Sequence, residues 1–144
     1  MFKVLNDVQL SKNFRLSEFE CHDGNHEVML SGKLVEKLQQ LRDAIGKPIT
    51  IAAGYRNKTH NAAVGGSPNS RHLLGEAVDI KIANMRPLAV AKIAKNIGFT
   101  GVGVYVNNGQ YFTHLDVRPT PSYWHDNPRT KTLTAVSDLN KVPS

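Results

Sequence analysis

Two short stretches of the chain hold residues able to do chemistry together. The first is Ser70-Arg71-His72-Leu73-Leu74-Gly75-Glu76-Ala77-Val78-Asp79, and the second is Thr113-His114-Leu115-Asp116. Between them they offer two imidazoles and a carboxylate (His72, His114 and Asp79), with a further carboxylate at Asp116. Catalytic zinc sites use three protein ligands of these types and leave a fourth position for water. Water held by such an ion ionises near neutral pH and becomes a nucleophile. If these residues meet in space, the chemistry expected is metal-assisted hydrolysis.

The elements around them must make that meeting. His114 and Asp116 are two residues apart, and side chains alternate along a strand, so both point to one face. Thr113, Leu115 and Val117 take the other face, which suits a core. Asp79 lies in the alternating run Ala77 to Ile82, on the face opposite Val78 and Ile80. Aspartate is depleted in strands, and a buried charge requires a partner. Two adjacent strands would present Asp79 and His114 together, with His72 arriving from the loop before Gly75. The other histidines, His22, His26, His60 and His125, read as surface or loop residues.

Further out, Leu34, Val35, Leu38, Leu41 and Ile45 recur at helical spacing between Ser31, a candidate N-cap, and Gly46, a candidate stop. Pro48 to Ala53 reads as a strand. Gly54 to Ser70 reads as a loop with Gly65-Gly66-Ser67-Pro68-Asn69 at its tip. Pro87 opens a second amphipathic helix, a position where proline is tolerated, and Gly98 closes it. Gly101 to Val106 and Gln110 to Val117 read as strands joined by an Asn107-Asn108-Gly109 hairpin. Phe14 to Phe19 is a short helix or turn. From Thr120, with Pro121, Pro128 and Pro143, the chain reads as an irregular tail. Helices mixed with antiparallel strands, without a repeated strand-helix-strand rhythm, predict an α+β fold: a small, largely antiparallel sheet with helices packed on it. The 144 residues suit one domain, with its core between about residues 14 and 124.

Composition narrows the function classes. No apolar run reaches the roughly 18 residues of a membrane helix, and Met1 to Asp7 lacks the features of a secretory signal. Cys21 is the single cysteine, so no disulfide forms within the chain. The stretch Cys21 to His26 lacks the four N or S ligands of a structural zinc site. A net charge of +6 favours an anionic partner. Nucleic acid and an anionic cell wall are both candidates; the basic residues are dispersed and no nucleic-acid motif accompanies them, so the charge reads as general attraction to an acidic partner.

The pattern Ser70-x-His72-x-x-Gly75-x-Ala77-x-Asp79, preceded by Gly54-Tyr55-Arg56 and followed by His114-x-Asp116, resembles the zinc D-Ala-D-Ala carboxypeptidase-like family of murein peptidases. That family shares its fold with the Hedgehog signalling domain. The resemblance runs from about Phe14 to Trp124. It implies a zinc peptidase acting on peptidoglycan stem peptides, with His72, Asp79 and His114 as Zn²⁺ ligands. It also implies that Arg56 polarises a substrate carbonyl or binds a substrate carboxylate, and that Ser70 lies near the substrate backbone.

One departure stands out. Many members place a Glu or His base two or three residues before the last ligand, where this chain has Phe112 and Tyr111. Asp116 is therefore the expected general base. The alternative is that it orients a ligand histidine. His125 is the reserve base. Tyr55, Tyr123 and Trp124 are candidates for either the cleft or the core. Small size and the lack of a signal predict a monomeric phage lysis or tail protein. The rival expectation is a non-catalytic, zinc-containing peptidoglycan-binding module.

Overall fold

The computed structural model describes residues 5–130 and 132–143. Six strands form one sheet: β1 (Thr50–Ala53), β2 (Ala77–Lys81), β3 (Gly101–Tyr105), β4 (Phe112–Asp116), β5 (Ser122–Asp126) and β6 (Leu133–Val136). Their order across the sheet is β1-β2-β4-β3-β5-β6, antiparallel throughout except for the parallel β3–β5 pair. Three α-helices accompany it: α1 (Gly32–Ile45), α2 (Lys58–Ala63) and α3 (Pro87–Ile97). The α+β expectation holds.

Alternation decides which face of the sheet is which. Val78 and Ile80 of β2, Val102 and Val104 of β3, and Leu115 of β4 are buried in one cluster with Leu34, Leu38 and Leu41 of α1 and Val90, Ala91 and Ala94 of α3. The opposite faces of the same strands are left for the site. The Thr113 hydroxyl, on the core face, donates to the Pro87 carbonyl at 2.9 Å and ties α3 to β4. Both long helices end as their sequences require. Gly46 and Gly98 adopt positive φ, at 72° and 115°, where an L side chain would be strained. Ser31 occupies the N-cap of α1 but makes no side-chain capping bond.

Two expectations change. The stretch expected to be loop from Gly54 to Ser70 contains α2, capped by the Asn57 side chain, which accepts from His60 N–H at 2.8 Å. Six residues are too few to show a helical period. The tail from Thr120 is not irregular. It supplies β5 and β6 and buries Leu139 and Val142 in the core. Pro121 and Pro128 lie just outside β5, where a missing N–H breaks no ladder bond. They bound the strand instead of disrupting it. Among the described residues no helix is long and apolar enough to cross a membrane.

A candidate metal centre at the floor of a cleft

Sheet register lines up the site. Asp79 of β2 stands opposite His114 of β4, His114 opposite Gly103 of β3, and Gly103 opposite Trp124 of β5. His72 joins from outside the sheet on a single 3₁₀ turn, Arg71–Leu74. Ser70 starts that turn by accepting the His72 N–H on its hydroxyl at 3.2 Å, and Gly75 ends it at φ 67°. A Cβ at Gly75 would come within 2.5 Å of the Met29 carbonyl carbon, so the turn tolerates only glycine there.

The Asp79 carboxylate Oδ1 lies 3.3 Å from His72 Nε2 and 3.0 Å from His114 Nδ1. One ligand atom from each of the three lies within 4.8 Å of the others, and all three residues are buried. The remaining ring nitrogens are both engaged. His72 Nδ1 meets the Gly54 carbonyl at 2.7 Å and His114 Nε2 meets Asp116 Oδ2 at 2.7 Å. Each acceptor holds a proton on the outer nitrogen, so that on metal binding the inner nitrogen would supply the lone pair, the arrangement typical of metal-ligating histidines. Two imidazoles and one carboxylate with an open side match the donor set of a catalytic Zn²⁺ site.

Electrostatics follow from this packing. Burial alone would raise the Asp79 pKa, but hydrogen bonds from His114 and His72 outweigh it and hold the carboxyl well below the usual range. His114 is pushed up to about 9: burial opposes its charge, and the bonds to Asp116 and Asp79 more than offset that. Asp116 is 0 % exposed. Burial would raise its pKa too, yet bonds from Arg118 and His114 hold it low. Arg118 reaches it with Nε at 2.9 Å and Nη2 at 2.6 Å, and its backbone N–H donates to Oδ1 at 3.1 Å.

The centre opens into a cleft of about 560 Å³, a size suited to a small or peptide ligand. Arg56, Ser70 and Arg71 stand on the loop side, and Tyr105, Phe112, Arg118 and Trp124 on the sheet side. Arg56 is tethered only loosely, at 3.4 Å to both Asp79 Oδ2 and Asn61 Oδ1. Its guanidinium therefore has donors to spare for a ligand. Trp124 packs against His114 with ring centroids 5.0 Å apart. It can do so because residue 103 is glycine: a Cβ there would overlap the indole, 2.5 Å from Cε2. Gly101 does the same for Asp116, whose carboxylate occupies the space a Cβ would need.

The expected site residues His72, Asp79, His114, Arg56 and Ser70 thus share one cleft, with Asp116 directly behind His114. Asp116 has no surface on the cleft and its oxygens are occupied. His125, expected as a surface or loop residue and held as reserve base, is neither exposed nor in a loop. It is buried in β5, with Nδ1 against the Asp126 carbonyl at 2.7 Å, one step out of phase with Trp124. Trp124 lines the cleft, Tyr123 packs on the core, and Tyr55 is not among the cleft's lining residues. Tyr111 is exposed and lies away from the cleft. Sequence reasoning missed Tyr105, Arg118 and the two glycines. Strand parity from His114 and Asp116 would have found Arg118, and the Gly101-x-Gly103 alternation signals close approach of another group.

A buried His-Asp-His cluster, two members on the sheet and one on the adjoining turn, opens to a cleft with a loosely tethered arginine, an arrangement suited to a mononuclear metallohydrolase. The chain belongs to the peptidase M15 family, whose model matches residues 12–116. It is 46% identical over 67 residues to the zinc D-Ala-D-Ala carboxypeptidase of Streptomyces albus G, a match covering 46% of this chain and 26% of that protein. It is also 29% identical over 98 residues to the probable peptidoglycan L,D-endopeptidase MepK of Haemophilus influenzae, covering 62% of this chain and 52% of that one. The matched region thus spans from a quarter to about half of these relatives' lengths.

Proposed function

We propose that this protein is a zinc-dependent peptidase cleaving peptidoglycan stem peptides, as a carboxypeptidase or an endopeptidase. The observation that carries the proposal is the convergence of His72 Nε2, His114 Nδ1 and the Asp79 carboxylate at the floor of a peptide-sized cleft. These residues would hold Zn²⁺. When bound, the ion supplies Lewis acidity and brings the pKa of a water close to neutral. Arg56, planar and permanently charged, binds the substrate's carbonyl or terminal carboxylate. Ser70, whose oxygen caps the 3₁₀ turn and whose hydroxyl proton has no acceptor among the described residues, meets the peptide backbone. The contacts of Asp116 support the orienting role over that of general base: it holds the His114 ring and its tautomer from behind.

The names of the two relatives support the substrate class: one is a zinc D-Ala-D-Ala carboxypeptidase and the other a probable peptidoglycan L,D-endopeptidase. The net charge of +6 suits an anionic wall. Our reading extends to a phage enzyme that meets the wall at lysis or from the virion, acting as a monomer.

One observation favours a second reading. Among the described residues lining the cleft there is no carboxylate or imidazole beyond the three candidate ligands. A non-catalytic zinc-containing peptidoglycan binder has no need of one. Digestion of purified peptidoglycan by zinc-loaded protein, with mass spectrometry of the fragments and a chelated control, separates the two. Chelator-sensitive release of defined peptides supports the peptidase and identifies the bond. One equivalent of zinc, with wall binding and no cleavage, supports the binder.

A further inference from the structure

A cleft without a free carboxylate or imidazole must use other groups to act on a peptide, and Tyr105 is placed to be one. It comes from β3 of the sheet and lines the same cleft as His72, Asp79, His114, Arg56 and Ser70. Its ring is fixed by stacking on Phe112, with centroids 4.4 Å apart and planes 13° apart. Its oxygen is fixed by Trp124, whose indole N–H donates to it at 2.8 Å.

That last bond has a directional consequence. An indole N–H can only donate, and a phenol oxygen carries one proton of its own. With the oxygen accepting from Trp124, the Tyr105 proton has to be donated elsewhere, and among the described residues it has no hydrogen-bond acceptor. The hydroxyl also keeps that proton. Burial pushes its pKa up to about 12 together with the charges of Asp79 and Asp126, against the opposing effects of the indole bond and Arg56. Tyr105 is therefore a preorganised neutral donor, held on both ring and oxygen, at the edge of the candidate metal centre.

We propose that Tyr105 is a catalytic residue: its hydroxyl donates a hydrogen bond to the oxygen of the scissile peptide carbonyl and strengthens that bond as negative charge develops there. The inference rests on the peptidase reading above. A donor already oriented toward developing charge needs no reorganisation at the moment of reaction. Arg56 lines the same cleft, so the two donors together would fix the carbonyl's orientation. Gly103 belongs to the same device, because it makes the room in which Trp124 reaches both His114 and Tyr105.

The test compares zinc-loaded wild type with Tyr105→Phe on soluble muropeptides released from purified peptidoglycan. The Phe variant keeps the ring stacked on Phe112 and removes one oxygen. It should bind one zinc with unchanged affinity while kcat falls about 100- to 1,000-fold, as when a single oxyanion donor is deleted, and KM changes by less than about threefold. A kcat within twofold of wild type overturns the inference while leaving the peptidase reading intact. So does a loss confined to KM, which would make Tyr105 a ground-state contact only. Site-specific 3-fluorotyrosine at 105 keeps ring and hydroxyl and should recover most of the rate that Phe loses. Failure to recover it means that packing, not the donor, was responsible, and it too overturns the inference. If wild type cleaves no muropeptide at any zinc loading, the peptidase reading itself falls, and this inference with it.

Discussion

Replacing Asp116 with Asn separates the two roles open to that carboxylate. In the folded protein its Oδ2 accepts from His114 Nε2 and Arg118 Nη2, and its Oδ1 accepts from Arg118 Nε and the Arg118 backbone N–H. Asparagine keeps the shape but offers one acceptor oxygen. Whichever way the amide turns, its NH₂ faces two donors. Hydrogen bonds to a charged group contribute about 1.5–3 kcal/mol each. Arg118 is partly exposed and can recover some of this by turning to water. A net loss of about 2–4 kcal/mol is expected, below the roughly 3–5 kcal/mol of leaving a fully buried charge unpaired. For a chain of this size that lowers Tm by about 4–16 °C. At the metal centre, an orienting residue should cost about 10- to 100-fold in zinc affinity, with turnover largely retained at saturating zinc. A general base would do the reverse, leaving zinc affinity alone and lowering kcat by about 10²–10⁴-fold. Trp124 is the only tryptophan and packs on His114, so its fluorescence reports zinc binding directly. Unchanged zinc affinity with abolished turnover would refute the orienting role and restore Asp116 as base.

Other consequences follow from the same geometry. Gly103→Ala drives a methyl into the Trp124 indole. Overpacking of this kind costs about 1–3 kcal/mol, so Tm should fall by several degrees with a shift in Trp124 emission; an unchanged melt and spectrum would contradict the packing described. Zinc competes with a proton for His114. Because that imidazole is held up to about 9, apparent zinc affinity should rise about tenfold per pH unit from 7 to 9, with close to one proton released near pH 7; calorimetry in buffers of different ionisation enthalpy measures this, and pH-independent affinity would contradict it. In the metal-free protein the His114 pKa lies above its ordinary value of 6.5. Its contribution to stability is therefore complete below about pH 6.5 and disappears as pH rises through about 9, which denaturant titrations across that range should show. Arg56→Lys keeps the charge and loses the planar fork, so kcat/KM should fall while zinc affinity stays within about threefold.

The convergence of the candidate ligands was legible because it depends largely on local rules. Parity placed His114 and Asp116 on one face of β4 and Asp79 opposite the core residues Val78 and Ile80, and both placements hold. The two long helices were legible from period and from their terminal glycines. Two kinds of feature were not. Six-residue α2 is held by an Asn57 cap and by what surrounds it, neither of which leaves a period in the sequence. Strand β5 gains its identity by pairing in parallel with β3, more than twenty residues earlier, and a tertiary pairing of that sort is invisible to a local window. With β5 unseen, Trp124 could not be assigned to the cleft, nor could the Trp124–Tyr105 bond be anticipated. The two candidate roles of Asp116 were legible, but its enclosure was not, because that depends on Arg118 folding back over two residues and on the space left by Gly101.

The most direct test of the metal centre is zinc K-edge absorption on protein loaded with one equivalent of zinc, together with the His72→Ala and His114→Ala variants. The account predicts a first shell of nitrogen and oxygen only, at about 2.0–2.2 Å, with multiple-scattering features of two imidazoles. Each variant should lose one imidazole and most of its zinc affinity. A sulfur scatterer at about 2.3 Å, which only Cys21 or a methionine could supply, or a shell unchanged in both variants, would place zinc elsewhere and contradict the centre described here.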